Sequence, residues 1–328
     1  MKASSIRKAL SHLIAVQRPV FIWGPPGVGK SDVVAQTASD SKLEVRDVRL
    51  SLLDPTDLKG FPVPDLEKKL MCWLPADFLP TKGKGILFLD EMNQAPQAVQ
   101  GAAYQLILNR KVGDYKLPDG WAVVAAGNRT SDRSIAHAMP AALANRFIHL
   151  DFDVNAEEWD DWASKNKIHT DIRAFIKFRP GLLHSFDSVS NPRAFPSPRS
   201  WAFVNDTYKS ALSQDEEFEL TKGTIGEGAS AEFNGFVRQI KDLPTISQII
   251  SEPEKTPIPA SPGALYALIM ALATKTAVAN IVSVMKYVIR MPIEFQVMYI
   301  KYITNNPALI GTKSYIDWVI SNRKVFIK

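Results

Sequence analysis

One eight-residue segment restricts the fold of this chain more than any other feature. It satisfies the pattern G-x-x-x-x-G-K-[ST] in full, as Gly24-Pro25-Pro26-Gly27-Val28-Gly29-Lys30-Ser31. An apolar run at 20–23 precedes it, and a helical pattern over 30–38 follows. A glycine loop between a buried strand and a helix directs backbone N–H groups and the helix N-terminus at a phosphate group. The segment therefore predicts a nucleotide site, with Lys30 on the β- and γ-phosphates of ATP and Ser31 on Mg²⁺.

A second motif ends another apolar run. Residues 86–89 are Ile-Leu-Phe-Leu, and Asp90 and Glu91 follow directly. A buried parallel strand would deliver Asp90 to the Mg²⁺ at its carboxyl end, where ligands of such sheets bind. Glu91 is then placed to orient or deprotonate the attacking water. Because the pair follows a complete phosphate loop along the chain, we interpret both motifs as one ATP and Mg²⁺ site.

Strand and helix patterns alternate through the first part of the chain. Apolar or alternating runs predict strands at 20–23, 43–50, 86–89, 121–126 and 147–152. Helical spacing of apolar residues is found at 5–16, 30–38 and 96–109. Alternation of this kind predicts βαβ units and a mostly parallel sheet with helices on both faces.

The pattern changes after residue 153, beyond which no strand is predicted. Helices are expected at 155–165, 171–178, 198–212 and 229–240, and proline-rich residues 253–262 separate a last group of apolar helices. The prediction is an α/β P-loop NTPase core at 1–153, an all-helical lid domain at 154–252 and a C-terminal helical extension at 253–328.

Composition excludes several other classes of protein. The 46% hydrophobic and 22% charged residues are ordinary for a globular chain, and the net charge of +5 is too evenly spread to indicate a nucleic-acid partner. The single cysteine, Cys72, permits no internal disulfide and suits a reducing compartment. Residues 1–10 offer no apolar signal-peptide core, and the most apolar run, 263–273, has only about half the length that a membrane span needs. We therefore expect a cytoplasmic protein.

Three further segments resemble motifs of the AAA+ ATPases. Gly127-Asn128 ends the fourth predicted strand and resembles sensor 1, whose polar side chain helps hold the attacking water. Residues 140–147, Pro-Ala-Ala-Leu-Ala-Asn-Arg-Phe, resemble the segment with the arginine finger, and the resemblance makes Arg146 the finger toward a neighbouring subunit. Residues 196–201, Pro-Ser-Pro-Arg-Ser-Trp, are similar to sensor 2, which implies that Arg199 contacts the γ-phosphate.

Within the AAA+ proteins the chain is most similar to the MoxR group, over residues 18–245. The likeness also rests on Asp-Pro-Thr-Asp-Leu-Lys-Gly at 54–60 and Asp-Glu-Met-Asn-Gln-Ala-Pro at 90–96. Members usually carry an insert after the second strand and a β-hairpin before sensor 1, and residues 60–80 and 110–117 lie at those places. The chain departs from the group at 93–95, where relatives often have Asn-Arg-Ala and this chain has Asn-Gln-Ala.

The resemblance implies a hexameric ring that uses Mg-ATP to remodel or activate a partner protein, in the manner of a chaperone. It also implies a companion protein with a von Willebrand factor A domain. Two alternatives stay open: a nucleic-acid motor ring, although the chain has no basic stripe with interleaved aromatics, and a non-motor ATP-gated switch or scaffold. The intact Asp90–Glu91 pair argues against the switch. Arg129 and Arg133 flank the sensor-1 turn and stay alternatives to Arg146.

Overall fold

Two compact units make up the protein. The computed structural model describes residues 1–67, 69–129, 139–188 and 192–323. The first unit comprises residues 1–159, the described part of 186–192, and 197–199; the second comprises 160–185, 193–196 and the described residues from 200 onward. The predicted division of the helical part at 252/253 stays a prediction.

The strands all lie in the first unit. They are β1 (Val20–Trp23), β2 (Glu44–Arg49), β3 (Phe61–Asp65), β4 (Leu70–Leu74), β5 (Gly85–Asp90), β6 (Lys111–Val112), β7 (Tyr115–Lys116), β8 (Trp121–Gly127) and β9 (Ile148–Asp151). The helices of this unit are α1 (Ala3–Ala15), α2 (Lys30–Asp40), α3 (Pro55–Lys59), α4 (Gln97–Asn109) and α5 (Ala141–Ala144).

A five-stranded parallel sheet organises the first unit, in the order β2-β5-β8-β1-β9. Every residue of β8 and all but the last of β5 are buried, because helices cover both faces. One face packs on α4 and the other on α1 and α2. The predicted P-loop NTPase fold with its parallel sheet is confirmed.

The strand order explains where the site must lie. The chain leaves β1 and returns to the sheet at β2, on the far side of β5 and β8. Trp23 is level with Gly127, and Leu89 is level with Ala125. The carboxyl ends of β1, β5 and β8 therefore meet at one edge, where ligands of parallel sheets bind.

Two antiparallel hairpins extend from the sheet. The hairpin β6–β7 confirms the expectation at 110–117. The insert at 60–80 contains a second hairpin, β3–β4, whose strands were not predicted because Pro62 and Pro64 interrupt the first of them. Both prolines lie on the same side of β3, so the strand pairs with β4 through the residues that alternate with them.

The second unit is helical throughout its described residues. Helices α6 (Ala156–Lys165) and α8 (Pro198–Thr207) begin in the first unit and continue in the second. The other helices of the second unit are α7 (Thr170–Phe178), α9 (Gln214–Ile225), α10 (Glu227–Lys241), α11 (Ile246–Ser251), α12 (Pro262–Lys275), α13 (Ile281–Val288), α14 (Ile293–Ile303), α15 (Pro307–Ile310) and α16 (Lys313–Ser321). Helices on both sides of Pro253 share a core that includes Ile249 and Leu268. None of the helices in the described ranges has the length and apolarity to cross a bilayer.

One helix of this unit differs from expectation. The predicted helix 198–212 ends at Thr207, and a further helix, α9, follows at 214–225. A capping box begins α9: Ser213 accepts from the N–H of Glu216, and the Glu216 carboxylate accepts from the N–H of Ser213. The Ser-x-x-Glu spacing of this box is visible in the sequence and predicts the helix start.

Candidate nucleotide and magnesium site

The loop at 24–31 connects β1 to α2 with two glycines in left-handed backbone conformation. Gly27 has φ +77° and Gly29 has φ +93°. A Cβ on Gly27 would lie 2.7 Å from the Ser197 hydroxyl oxygen, so both conformation and space demand glycine there. The N–H of Gly24 donates to the Gly127 carbonyl at 3.3 Å, and the buried Val28 anchors the middle of the loop in the core.

Lys30 is the first residue of α2 and joins the loop to the end of β8. Its Nζ donates to the carbonyl oxygens of Gly24 at 2.7 Å and Pro25 at 3.1 Å, and to Asn128 Oδ1 at 2.8 Å. These are oxygens that phosphate oxygens can replace around an ammonium group. The structure thus brings the predicted loop lysine and the predicted sensor-1 asparagine into direct contact.

Ser31 and Asp90 meet across the strand ends. Ser31 Oγ donates to Asp90 Oδ2 at 2.9 Å. A hydroxyl and a carboxylate are hard oxygen ligands that suit Mg²⁺, which binds few protein groups and otherwise takes phosphate oxygens and water. Ser31 and Asp90 therefore fit a magnesium that is shared with a nucleotide.

Glu91 is held in a left-handed conformation, with φ +54°. Its N–H donates to Asp90 Oδ1 at 2.8 Å, and the Ser51 hydroxyl donates to its carboxylate. A non-glycine residue in this conformation is uncommon, and these two contacts hold Glu91 in it. No sequence motif points to Ser51, because this residue follows a different strand, β2.

A third carboxylate adds to the negative potential here. Partial desolvation and the charge of Asp90 raise the pKa of Asp47 above its ordinary value; Arg49 opposes this shift, and Glu91 adds to it. A carboxylate whose pKa is raised by neighbouring negative charges is stabilised in its charged form by a nearby cation. The electrostatics of this edge of the sheet therefore suit Mg²⁺.

Asn93 supports Asn128, the predicted sensor-1 residue, through a hydrogen bond. It is fully buried, and its Nδ2 donates to the Asn128 carbonyl at 2.6 Å. Its Oδ1 has no hydrogen-bond partner among the described residues. The sequence singled out residues 93–95 only as a departure from the MoxR pattern, whereas the structure gives Asn93 a place beneath the site.

Gly127→Ala is expected to destabilise the protein by about 1–3 kcal/mol, as overpacking of a full core does. A Cβ at this position would lie 2.1 Å from Asn93 Oδ1 and 2.8 Å from the Phe21 ring. Thermal unfolding measures the effect. The control is Gly101→Ala, on an exposed helix position with nothing within 4 Å, which should unfold at or above the wild-type temperature. Equal unfolding temperatures for Gly127→Ala and wild type would contradict the prediction that a Cβ at residue 127 is too close to Asn93 and Phe21.

Arg199 lies at the start of α8, beside the loop. Its N–H donates to the Gly27 carbonyl at 3.2 Å, and its side chain is exposed. Ser197, two residues earlier, is the side chain that excludes a Cβ from Gly27. The first unit therefore brings the predicted sensor-2 segment to the phosphate loop, although the sequence places them far apart.

The three candidate finger residues differ in their surroundings. Arg146 is exposed after α5, and its guanidinium has no ion-pair or hydrogen-bond partner among the described residues. Arg129 is engaged within its own chain: it donates to Asp153 Oδ1 at 3.0 Å and pairs with Asp151 Oδ1 at 3.3 Å. Arg133 lies outside the described residues.

The fold and the loop geometry define a P-loop nucleotide-binding protein. Residues 19–147 match the family model of the AAA domain, dynein-related subfamily. Proteins with this domain generally bind ATP with Mg²⁺, hydrolyse it and assemble as rings.

A curated relative and solved structures give further likenesses. The chain is 30% identical over 183 residues to midasin of Giardia intestinalis; this region is 53% of the chain and 4% of midasin, so the chain spans a small fraction of that relative. A RuvB variant from Thermotoga maritima has a TM-score of 0.42 at 17% identity and covers 82% of each chain. A Cytophaga hutchinsonii protein described as an ATPase has a TM-score of 0.38 at 16% identity, over 90% of this chain and 79% of its own. These TM-scores are too low to inform function.

Proposed function

We propose that this chain is a MoxR-like ring ATPase that uses Mg-ATP to remodel or activate a partner protein. One observation carries the proposal: the loop lysine, the acid pair and Asn128 converge at one edge of the sheet and are joined by direct contacts. Lys30 Nζ lies 2.8 Å from Asn128 Oδ1, and Ser31 Oγ lies 2.9 Å from Asp90 Oδ2. This arrangement has the parts that phosphoryl transfer from ATP to water requires.

Each residue has a distinct proposed role. The loop at 24–31 and Lys30 bind the β- and γ-phosphates, and Ser31 and Asp90 hold Mg²⁺, which neutralises phosphate charge when bound. Glu91 accepts the proton of the attacking water, which Asn128 orients. Arg199 contacts the γ-phosphate from the start of α8.

Arg146 completes the site of a neighbouring subunit in this proposal. The support is the exposed guanidinium of Arg146, which has no partner among the residues that the structure describes, and the engagement of Arg129 within its own chain. In such an assembly Arg146 of one copy contacts the nucleotide site of the next copy, so the two contacting surfaces differ. A contact between different surfaces is heterologous, and it closes a ring when the rotation between copies allows it. We propose a hexamer, as in the MoxR group.

The insert hairpin supports a polypeptide partner. It exposes several large apolar side chains: Phe61 at 72%, Leu66 at 84%, Leu70 at 63%, Met71 at 63% and Leu74 at 58%. Exposed apolar patches mark contacts with proteins, whereas a phosphate backbone requires cations. The hairpin is also poorly suited to strand addition, because β3 contains two prolines and the Trp73 N–H is bonded to Asp114 Oδ2 at 2.8 Å. A partner would therefore contact the side chains of its faces.

A nucleic-acid motor is the second candidate. The observation in its favour is on β6–β7, where Lys111 and Lys116 lie directly opposite each other and are both exposed. Two lysines at a hairpin are enough for a weak phosphate contact, and such binding would fall steeply with salt. Salt-dependent binding of single-stranded oligonucleotides, lost in Lys111→Ala/Lys116→Ala, would favour this candidate over the protein remodeller.

Solution mass tests the proposed ring. Light scattering on Glu91→Gln with Mg-ATP is expected to give about six subunits, because this variant should bind ATP without consuming it. Lys30→Ala, which lacks the phosphate ammonium, should stay at the mass seen without nucleotide. A mass of one subunit for wild type and Glu91→Gln under every condition would rule out the ring formed by this chain alone, and with it the basis for Arg146 acting in trans.

Replacing Phe61 and Leu70 by serine is expected to weaken binding of an unfolded polypeptide about tenfold or more, because two exposed apolar anchors are lost. Reduced, carboxymethylated α-lactalbumin serves as the probe, with binding followed by fluorescence anisotropy. The matched control is Ile320→Ser, which removes an apolar side chain that is 64% exposed on α16. Basal ATP hydrolysis should be unchanged in both. Equal affinities for the hairpin variant and wild type would remove the hairpin as the client contact.

A further inference from the structure

Trp23 and His149 form a bridge that begins at the phosphate loop. Trp23 is the last residue of β1, and Gly24 follows it directly. Its indole Nε1–H donates to His149 Nδ1 at 2.9 Å. The two rings are nearly parallel, at 25°, with centroids 6.0 Å apart. The position of the imidazole is therefore tied to the end of the strand that carries the loop.

The other side of the imidazole faces the segment that carries Arg146. His149 Nε2 lies 2.9 Å from the carbonyl oxygen of Ala144, the last residue of α5. Because Nδ1 accepts the indole proton, a neutral imidazole carries its own proton on Nε2 and donates it to Ala144. Both ring nitrogens are thus used, and the pair of contacts specifies one tautomer.

The segment from Ala144 to Phe147 is short and depends on such contacts. Helix α5 has 4 residues, too few to hold its own carboxyl end rigidly. Leu143 and Phe147 are buried at 2% and 7% exposure, and the Arg146 N–H donates to the Leu143 carbonyl at 3.0 Å. Arg146 is presented to solvent between two anchors, and the His149 bond holds the carbonyl two residues before it.

We propose that His149 is a positioning residue that couples the phosphate loop of a subunit to the Arg146 that the same subunit presents to its neighbour. The inference rests on the proposed trans role of Arg146. Any displacement of the end of β1 when the loop binds phosphate passes through the Trp23 indole and the imidazole to the Ala144 carbonyl. Each subunit then adjusts its finger to the state of its own nucleotide site.

Substitutions at His149 separate its two bonds. His149→Gln places an amide N–H near the position of Nε2 and should retain the bond to Ala144, so its kcat should stay within about threefold of wild type. His149→Asn places an acceptor near Nδ1 but loses the Ala144 bond, as His149→Leu loses both. These two should lower kcat about tenfold, with ATP affinity unchanged, since finger placement matters to the transition state. Trp23→Phe keeps an aromatic ring but removes the indole donor. Its kcat should lie between the kcat of wild type and that of His149→Asn.

Mixed rings show in which subunit His149 acts. Glu91→Gln subunits cannot hydrolyse ATP but carry an intact finger, so they should restore activity to Arg146→Ala subunits. The double variant Glu91→Gln/His149→Asn should restore it about tenfold less well, because its finger is misplaced. Conversely, His149→Asn subunits should gain activity when mixed with Glu91→Gln subunits. A residue that only stabilised its own fold or its own ATP site would not show this asymmetry.

The outcomes distinguish the positioning role of His149 from the trans role of Arg146. If Glu91→Gln and Glu91→Gln/His149→Asn restore Arg146→Ala equally, the positioning role of His149 is overturned while Arg146 keeps its trans role. If Glu91→Gln restores nothing although mixed rings form, the trans role itself fails, and the positioning role fails with it. Should the asparagine variant not fold, His149→Leu, which also loses the Ala144 bond, takes its place in the same mixtures, with the same opposing results.

Discussion

Arg146→Ala is expected to lower kcat for ATP hydrolysis by about 10³–10⁵-fold, the range that arginine fingers contribute in other nucleotide hydrolases. The physical reason is that a guanidinium neutralises charge on the transferring phosphoryl group only in the transition state. ATP affinity should therefore stay within about threefold of wild type. Steady-state hydrolysis and binding of a fluorescent ATP analogue measure the two quantities separately.

The control for Arg146 is another exposed arginine. Arg238→Ala, in the last turn of α10 in the second unit, makes the same change in charge at a residue with no proposed role and should leave kcat within about twofold. Arg129→Ala should instead lower stability, because it removes the pairs to Asp151 and Asp153. Retention of more than a tenth of wild-type kcat by Arg146→Ala would exclude it as the finger.

Glu91→Gln is expected to lower kcat by about 10²–10⁴-fold, which is the usual contribution of a general base. The amide cannot accept the proton of the attacking water, yet its oxygen can still accept from Ser51 as the carboxylate does. The left-handed backbone of residue 91 and the placement of Asp90 should therefore be kept. ATP should bind at least as tightly as to wild type, which the same fluorescent analogue measures.

Asp47→Asn is the matched control for Glu91, because it also removes a carboxylate at this edge of the sheet. The pKa of Asp47 is raised by desolvation and by Asp90, so the substitution relieves repulsion and removes no proposed catalytic group. Its kcat should stay within about threefold of wild type. If Glu91→Gln changed neither hydrolysis nor release of a bound polypeptide, the ATP-gated switch would replace the remodelling ATPase as the better hypothesis.

The helices and strands that the sequence predicted are those whose signals are local. β5 and β8 are buried on both faces, and their residues are continuous apolar runs, so the strand pattern is unambiguous. β3 and β4 were missed because prolines alternate along β3, and such a strand is stable only as the edge of a hairpin. Helix α9 was missed although its capping box is present in the sequence.

The sequence by itself predicts the chemistry of the candidate site. The eight residues at 24–31 and the pair Asp90–Glu91 predict phosphate and magnesium binding because adjacent residues supply the loop geometry and the ligands. Residues that are adjacent along the chain stay close together in any fold. Motifs of this kind can therefore be recognised without a structure. The two left-handed glycines of the loop confirm its geometry.

Only the tertiary structure decided which distant residues complete that site. Ser51 reaches Glu91 from the end of β2, Asn93 holds the Asn128 carbonyl, and Arg199 bonds to Gly27. Each of these contacts depends on the order of the strands in the sheet or on the return of the chain to the phosphate loop. Neither can be derived from the spacing of residues along the sequence. The bridge from Trp23 to His149 has the same origin, because β1 and β9 become neighbours only when the sheet forms.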